Sequence, residues 1–133
     1  MKYLLDTHTL LWAITEKSEL SHTVIRILED TSNEILVSAV NLWEVSLKFS
    51  LGKLNITGFL PQDLPRLAVQ SGFTLIPLMP VDAISYHQLV SYEGHKDPFD
   101  KMLIWQAIQQ SLILISEDKH LAQYAAAGLK VIW

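Results

Sequence analysis

Short apolar runs and longer amphipathic segments alternate along this chain. Runs rich in Val, Ile and Leu, each bounded by polar residues, Gly or Pro, predict strands at residues 2–6, 34–38, 73–77, 112–116 and 130–132. The segments between them carry apolar residues three or four positions apart, which predicts helices at roughly 7–16, 21–31, 38–51, 62–71, 81–91, 98–110 and 118–127. Strands that are apolar on both faces and alternate with helices are typical of a parallel sheet covered on both sides. We therefore expect a single domain over residues 1–133, an α/β/α sandwich around a central, mostly parallel five-stranded sheet.

Composition narrows the class of protein. Half of the residues are apolar, which excludes intrinsic disorder, and the chain has no cysteine, which excludes disulfides, thiolate zinc sites and cysteine nucleophiles. The longest uncharged apolar stretch, Met102 to Ser116, contains three glutamines and is too short to cross a bilayer. Without a signal-peptide pattern at the start, a cytoplasmic protein without a membrane partner is expected. The net charge of −4 argues against a general basic surface for nucleic acid but not against a local one.

Two acids stand where predicted strands end. Asp6 closes the first strand and Asp118 follows the fourth. Ligands of parallel sheets bind outside the carboxyl ends of the strands, so both acids are candidates for a site there. Each could equally be the N-cap of the helix that follows, because Asp is a favoured N-cap residue. Two further acids weigh against capping as their whole role.

The first of these is Glu44, in the predicted helix 38–51. At 100° per residue, Asn41, Glu44 and Lys48 form one polar stripe between apolar flanks, so we expect the helix to be buried nearly all round with Glu44 inside. An unpaired buried carboxylate is costly. An ion pair between Glu44 and Lys48, four positions apart, would explain the pair but not its burial.

The second is Asp100, in the segment HKDPFDKMLIWQA. Asp97 is explained as an N-cap with Pro98 in the first turn. Asp100 instead shares its helical face with Leu103 and Ile104, and so points toward the expected core.

Convergent acids repel one another unless a cation lies between them. All-oxygen ligands suit Mg²⁺ or Mn²⁺, whereas the chain has no HExxH, GxSxG or Gly-rich phosphate loop for other chemistries. Three histidines near the acids, His8, His95 and His120, are possible substrate contacts, with ordinary surface positions as the alternative. For the tryptophans at 12, 43 and 105, core packing is favoured over base stacking.

Four segments, LLDTH, SAVNLWEVSLKFSLGKL, HKDPFDKMLIWQA and ISED, resemble in order the acidic blocks of PIN-domain ribonucleases, specifically VapC-type toxins of bacterial toxin–antitoxin pairs. The resemblance implies a Mg²⁺- or Mn²⁺-dependent endoribonuclease whose partners are RNA, a VapB-type antitoxin and a second copy in a homodimer. It implies that the catalytic, metal-binding acids are Asp6, Glu44, Asp100 and Asp118. Supporting roles are expected for Thr7, Asp97 and Ser116, and substrate contacts for Asn41, Lys48 and Lys101.

Two positions depart from the commoner family pattern: Lys101 stands where arginine is frequent, and Trp105 where alanine is usual. Lysine cannot fork around a phosphate as arginine does, so substrate preference is affected more than activity. The alternatives are a degenerate PIN domain that only binds, a metal-dependent phosphatase of the haloacid-dehalogenase type, and a receiver domain. The phosphatase needs a second Asp where this chain has His8, and the receiver would lack the Glu44 stripe.

Overall fold

The computed structural model describes residues 1–133, and its centre is one five-stranded sheet. The strands, in the spatial order β3-β2-β1-β4-β5 with every pairing parallel, are β1 (Lys2–Leu5), β2 (Glu34–Ser38), β3 (Thr74–Ile76), β4 (Ile113–Ile115) and β5 (Lys130–Ile132). The helices are α1 (Thr7–Thr15), α2 (His22–Glu29), α3 (Ala39–Ser50), α4 (Leu64–Gln70), α5 (Pro80–Ser85) and α6 (Pro98–Gln109). Four 3₁₀ helices cover Lys17–Glu19, Pro61–Asp63, Tyr86–Gln88 and Lys119–Ala127.

Helices cover both faces of the sheet because the strands are apolar on both faces. In β1, the side chains of Tyr3 and Leu5 enter the core layer shared with α1, α2 and α4. Leu4 points the other way, into the layer shared with α6 and the 3₁₀ helix Lys119–Ala127. Burying one such leucine contributes about 1.5–3 kcal/mol. The predicted α/β/α sandwich is confirmed, with the sheet parallel throughout.

The strand order creates a crevice. From β1 the chain passes to β2 and β3 on one side, and then crosses to β4 on the other side of β1. In open α/β sheets, ligands bind where the connections diverge in this way, outside the carboxyl ends of the strands. The Asp6 amide donates to the Ile115 carbonyl across that junction (3.1 Å), so the ends of β1 and β4 are held side by side.

The predicted helices at 118–127 and 81–91 differ from what forms. Residues Lys119–Ala127 form a 3₁₀ helix whose two buried side chains, Leu121 and Tyr124, are three positions apart and therefore align at three residues per turn. The other segment is a short α5 that tightens into the 3₁₀ turn Tyr86–Gln88. None of the helices is long and apolar enough to cross a membrane.

The prediction that helix 38–51 is buried nearly all round is wrong. The side of α3 that carries Val40, Asn41, Glu44 and Val45 is buried, but Trp43 is 63% exposed. Trp43 packs its ring edge-on against Phe99 with 4.9 Å between ring centroids. Core packing is thus confirmed for Trp105 and wrong for Trp43.

Candidate metal centre

A cleft of about 560 Å³ opens at the carboxyl ends of β1 and β4. Its floor is apolar and its walls are mostly polar or charged. The polar and charged residues that line it include Asp6, Asp100, Ser116, Asp118, Lys119 and His120. Three of the four acids predicted to bind metal therefore line one cleft.

Asp6 and Asp118 reach the cleft from corresponding positions, each directly before a helix. The Asp6 carboxylate accepts a hydrogen bond from the Thr9 amide (2.8 Å), which caps α1. The Asp118 carboxylate accepts from the His120 amide (2.9 Å) and caps the 3₁₀ helix that follows β4. The capping and cleft-lining roles therefore coexist, because a cap uses only one carboxylate oxygen.

Ser116 fixes the turn that presents Asp118. It is buried, and its hydroxyl oxygen accepts a hydrogen bond from the Asp118 amide (3.1 Å). The Ser116 amide in turn donates to the Ile132 carbonyl of β5 (3.1 Å). Ser116 thus positions the acid and also lines the cleft.

Asp100 enters from the first turn of α6. Asp97 is the N-cap and accepts from the Phe99 amide (2.9 Å), so the segment begins its helix where the sequence predicts. Burial, followed by the charges of Asp97, Glu44 and Asp6, raises the pKa of Asp100 to about 7, and Lys48 only partly opposes this. Burial is the largest cause of the raised pKa, and the charges of the neighbouring acids add to it.

Both carboxylate oxygens of Glu44 have partners inside the protein. It is 4% exposed, one oxygen accepts from the Thr7 hydroxyl (2.5 Å), and the other pairs with the Lys48 ammonium. Lys48 also reaches Asp97 (3.3 Å). Desolvation lowers the pKa of Lys48, but the hydrogen bond and charge of Glu44 and the charge of Asp97 outweigh it, and the net shift is upward. The Glu44 side of the cluster therefore holds a cation of its own.

Asn41 holds the backbone around Glu44 together. It is fully buried, its amide donates to the Leu5 carbonyl and the Thr7 hydroxyl (3.1 Å each), and its oxygen accepts from the Ser38 amide (2.8 Å). It lines neither the cleft nor the smaller cavity beside Glu44. Lys101 is the one predicted substrate contact that does not lie on α3; it is half-buried on α6.

Two groups of potential ligand atoms share Asp100. The ligand atoms of Glu44, Asp97 and Asp100 lie within 4.8 Å of one another, and so do those of His95, Asp100 and Asp118. Asp6 belongs to neither group, although it lines the cleft and acts on the Asp100 charge. A convergent set of carboxylates with an unbalanced negative field suits a hard divalent cation such as Mg²⁺ or Mn²⁺.

Sequence reasoning missed Tyr124 and the contact it makes. The Tyr124 hydroxyl lies 2.5 Å from Nδ1 of the buried His95, 29 positions earlier in the chain. No sequence spacing predicts this contact, because His95 lies in an irregular loop and the pattern around Tyr124 indicates only a core residue. The link between Lys48 and Asp97, across 49 positions, was missed for the same reason.

Comparison with known proteins agrees with this architecture. A family model described as PIN domain matches residues 3–127. Among solved structures, VapBC2 from Rickettsia felis bound to promoter DNA superposes with a TM-score of 0.67 at 15% identity, covering 99% of this chain and 98% of that chain. DNA-bound VapBC from Salmonella typhimurium gives 0.64 at 20% identity, covering 99% and 97%. VapBC-1 from nontypeable Haemophilus influenzae gives 0.64 at 15%, with the same coverage. No curated protein sequence matches the chain.

Proposed function

The chain belongs to the PIN domain family, and from this we propose that it is a Mg²⁺- or Mn²⁺-dependent endoribonuclease. PIN domains are generally nucleases. The observation that supports the proposal best is the convergence of Asp6, Asp100 and Asp118 on one cleft at the point where the strand order diverges. The acids are in a place and arrangement that suit phosphodiester hydrolysis.

The carboxylates would hold the cation, with Asp100 central because it belongs to both ligand groups. A divalent cation supplies positive charge to a phosphodiester and makes water more acidic. Asp6 and Asp118 are held rigid by their capping hydrogen bonds, so they would keep the ion in place without rearrangement. Ser116 sets the position of Asp118.

Lysines around the cleft supply attraction for the RNA backbone. Lys119 lines the cleft, and Lys101 lies one position after Asp100 on α6 and forms no ion pair. Such contacts bind phosphates without reading sequence. Lys119 would add local positive charge at the cleft of a chain whose total charge is −4.

The partner proposal rests on the structural neighbours. The solved structures with the same fold include VapBC and FitAB complexes bound to DNA fragments. We therefore infer that this chain acts as a toxin inhibited by a VapB-type antitoxin, and that it forms a homodimer. Its expression alone should arrest growth, and co-expression of the protein encoded by a small adjacent gene should relieve the arrest.

The direct test is RNA cleavage by the purified chain. Cleavage should require Mg²⁺ or Mn²⁺, stop with EDTA, and fall by about 100-fold or more in Asp6→Asn. Glu29→Gln, an exposed acid at the end of α2, is the control matched for net charge and should cleave normally. Metal binding without cleavage of any RNA by the wild type would instead identify a binding module.

A further inference from the structure

His95 is the least satisfied polar group in the molecule. It is 9% exposed, and its Nε2 is the one buried side-chain nitrogen or oxygen without a hydrogen-bond partner. Leaving a buried polar atom unpaired is costly, so such an atom needs an explanation. Nε2 lies 4.0 Å from the Asp100 carboxylate, on the side of the cluster that Lys48 does not neutralise.

The surroundings hold the imidazole in one orientation. The His95 amide donates to the Tyr92 carbonyl (3.3 Å) in a turn that needs Gly94 at a φ of 84°, in the left-handed region. The Tyr124 ring stands edge-on to His95, with 5.4 Å between ring centroids, and its hydroxyl engages Nδ1. Only Nε2 remains available, and it points toward the acids.

The distance of 4.0 Å distinguishes two roles for Nε2. A hydrogen bond from an N–H to a carboxylate would bring the two atoms to about 2.7–2.9 Å. At 4.0 Å the two atoms are too far apart for a hydrogen bond, and both would be available to hold one divalent cation.

Asp118 is the third potential ligand beside His95 and Asp100. Ligand atoms of His95, Asp100 and Asp118 all lie within 4.8 Å of one another, although they come from a loop, a helix and the end of a strand. A metal-bound histidine commonly donates its other ring N–H to a fixed acceptor, which orients the ring. In the tautomer in which Nδ1–H donates to the Tyr124 hydroxyl, the Nε2 lone pair is free to bind a cation.

Resting on the proposed metal dependence, we infer that His95 Nε2 binds the divalent cation together with Asp100 and Asp118, so that the site is a mixed nitrogen and oxygen site. Imidazole favours first-row transition ions over Mg²⁺. This chain therefore selects Mn²⁺ or a similar ion over Mg²⁺ more strongly than four carboxylates alone would. Tyr124 is a positioning residue, since it acts through His95.

The experiment uses the purified chain with Mn²⁺ alone, without RNA. Pulsed EPR of bound Mn²⁺ should show coupling to a nitrogen-14 nucleus, and His95→Gln should abolish that coupling. His120→Gln is the matched control, because the His120 ring is exposed and its Nδ1 also lies close to Asp118 (3.0 Å). Nitrogen coupling that survives in His95→Gln and disappears in His120→Gln overturns the inference.

Calorimetric titration gives the second measurement. His95→Gln should lower Mn²⁺ affinity by about tenfold or more and Mg²⁺ affinity by less, and Tyr124→Phe should lower Mn²⁺ affinity by about tenfold while it retains the nitrogen coupling. Tyr124→Phe keeps the ring in the core, so it still tests the arrangement if His95→Gln fails to fold. Equal losses for Mn²⁺ and Mg²⁺ in His95→Gln contradict the mixed site.

The outcomes separate this inference from the proposed function. Bound Mn²⁺ without nitrogen coupling in the wild type refutes the role of His95 and leaves the nuclease proposal intact. Nitrogen coupling in a protein that cleaves no RNA supports the role of His95 and refutes the nuclease proposal. Absence of any Mn²⁺ binding refutes both.

Discussion

The two sides of the acid cluster differ in what lies next to their negative charges: a lysine on one side and an open cleft on the other. On one side, Glu44 is buried against the Thr7 hydroxyl and the Lys48 ammonium, and Lys48 also reaches Asp97. On the other side, Asp118 faces an open cleft with Asp6, and the nearest buried nitrogen, His95 Nε2, is unpaired. Asp100 lies between the two sides and belongs to both groups of potential ligands.

This difference shows that Lys48 pairs with Glu44 and Asp97 but does not bring the pKa of Asp100 back to its ordinary value. An ammonium four positions from Glu44 neutralises the acids within its reach, but Asp100 keeps a raised pKa despite Lys48. The cleft side is open to solvent and ions, and Asp6 and Asp118 form no ion pair with a lysine there. A cation that enters the cleft would offset the charges around Asp100.

The largest expected effect is on the cleft side. Asp118→Asn should lower RNA cleavage by about 100-fold or more, because it would remove a charged carboxylate from the proposed metal site. Its capping hydrogen bond to the His120 amide can be retained by the asparagine oxygen, so the melting temperature should change little. Cleavage rates and thermal denaturation of the same preparation measure both. A fully active Asp118→Asn variant would place the metal elsewhere.

A smaller effect is expected on the paired side. Lys48→Met should destabilise the metal-free protein by about 2 kcal/mol, since Glu44 would stay buried without its cation and partial exposure of Lys48 lowers the usual penalty. The metal-free cluster would also be more negative, so added Mn²⁺ should raise the melting temperature more than in the wild type. Denaturant unfolding with and without Mn²⁺ measures both.

Lys101→Met is the matched control for that variant, because Lys101 is on α6 near the same acids but pairs with none. It should unfold as the wild type does. If Lys48→Met and Lys101→Met have the same stability and the same response to Mn²⁺, Lys48 does not neutralise the cluster.

A pH-dependent effect is expected at Asp100, between the two sides. Its folded-state pKa of about 7 exceeds the ordinary value of 3.8, so the folded state retains the proton longer than the unfolded state. The contribution of the Asp100 proton to the free energy of unfolding is therefore fully present below about pH 4 and is lost as the pH rises through about 7. In EDTA, Asp100→Asn should melt higher than the wild type at pH 8 but not at pH 4.5. A difference in melting temperature that is equal at the two pH values would contradict this.

The acids were predictable because each follows from a local rule. Asp6 and Asp118 stand at the ends of apolar strands, and parallel strands bring their carboxyl ends to one edge. Glu44 stood out as the acid of a narrow polar stripe, and its burial is confirmed. The membership of these acids in a metal site remains a prediction, because carboxylates also cap, pair and repel.

What the sequence did not reveal depends on contacts between distant segments. The orientation of His95 depends on a turn at Gly94 and on a tyrosine 29 positions later, neither of which has a periodic signal. Trp43 appeared to be a core residue because periodicity reports how apolar a helix is, not how much of its circumference finds a neighbour. In α3, the burial of Glu44 was predicted correctly, but the side that carries Trp43 was predicted to be buried and is exposed.

The pairing of β1 with β4 has a consequence for how activity appears during synthesis. Tyr3 pairs with Ile113 and Leu5 with Ile115, so the crevice between these strands closes only when the two ends of the sequence meet. Contacts between such distant segments form late and slowly, because a long loop must close first. A chain still emerging from the ribosome has Asp6 and Glu44 but not yet the strand that carries Asp118. Incomplete chains would therefore lack part of the proposed metal site.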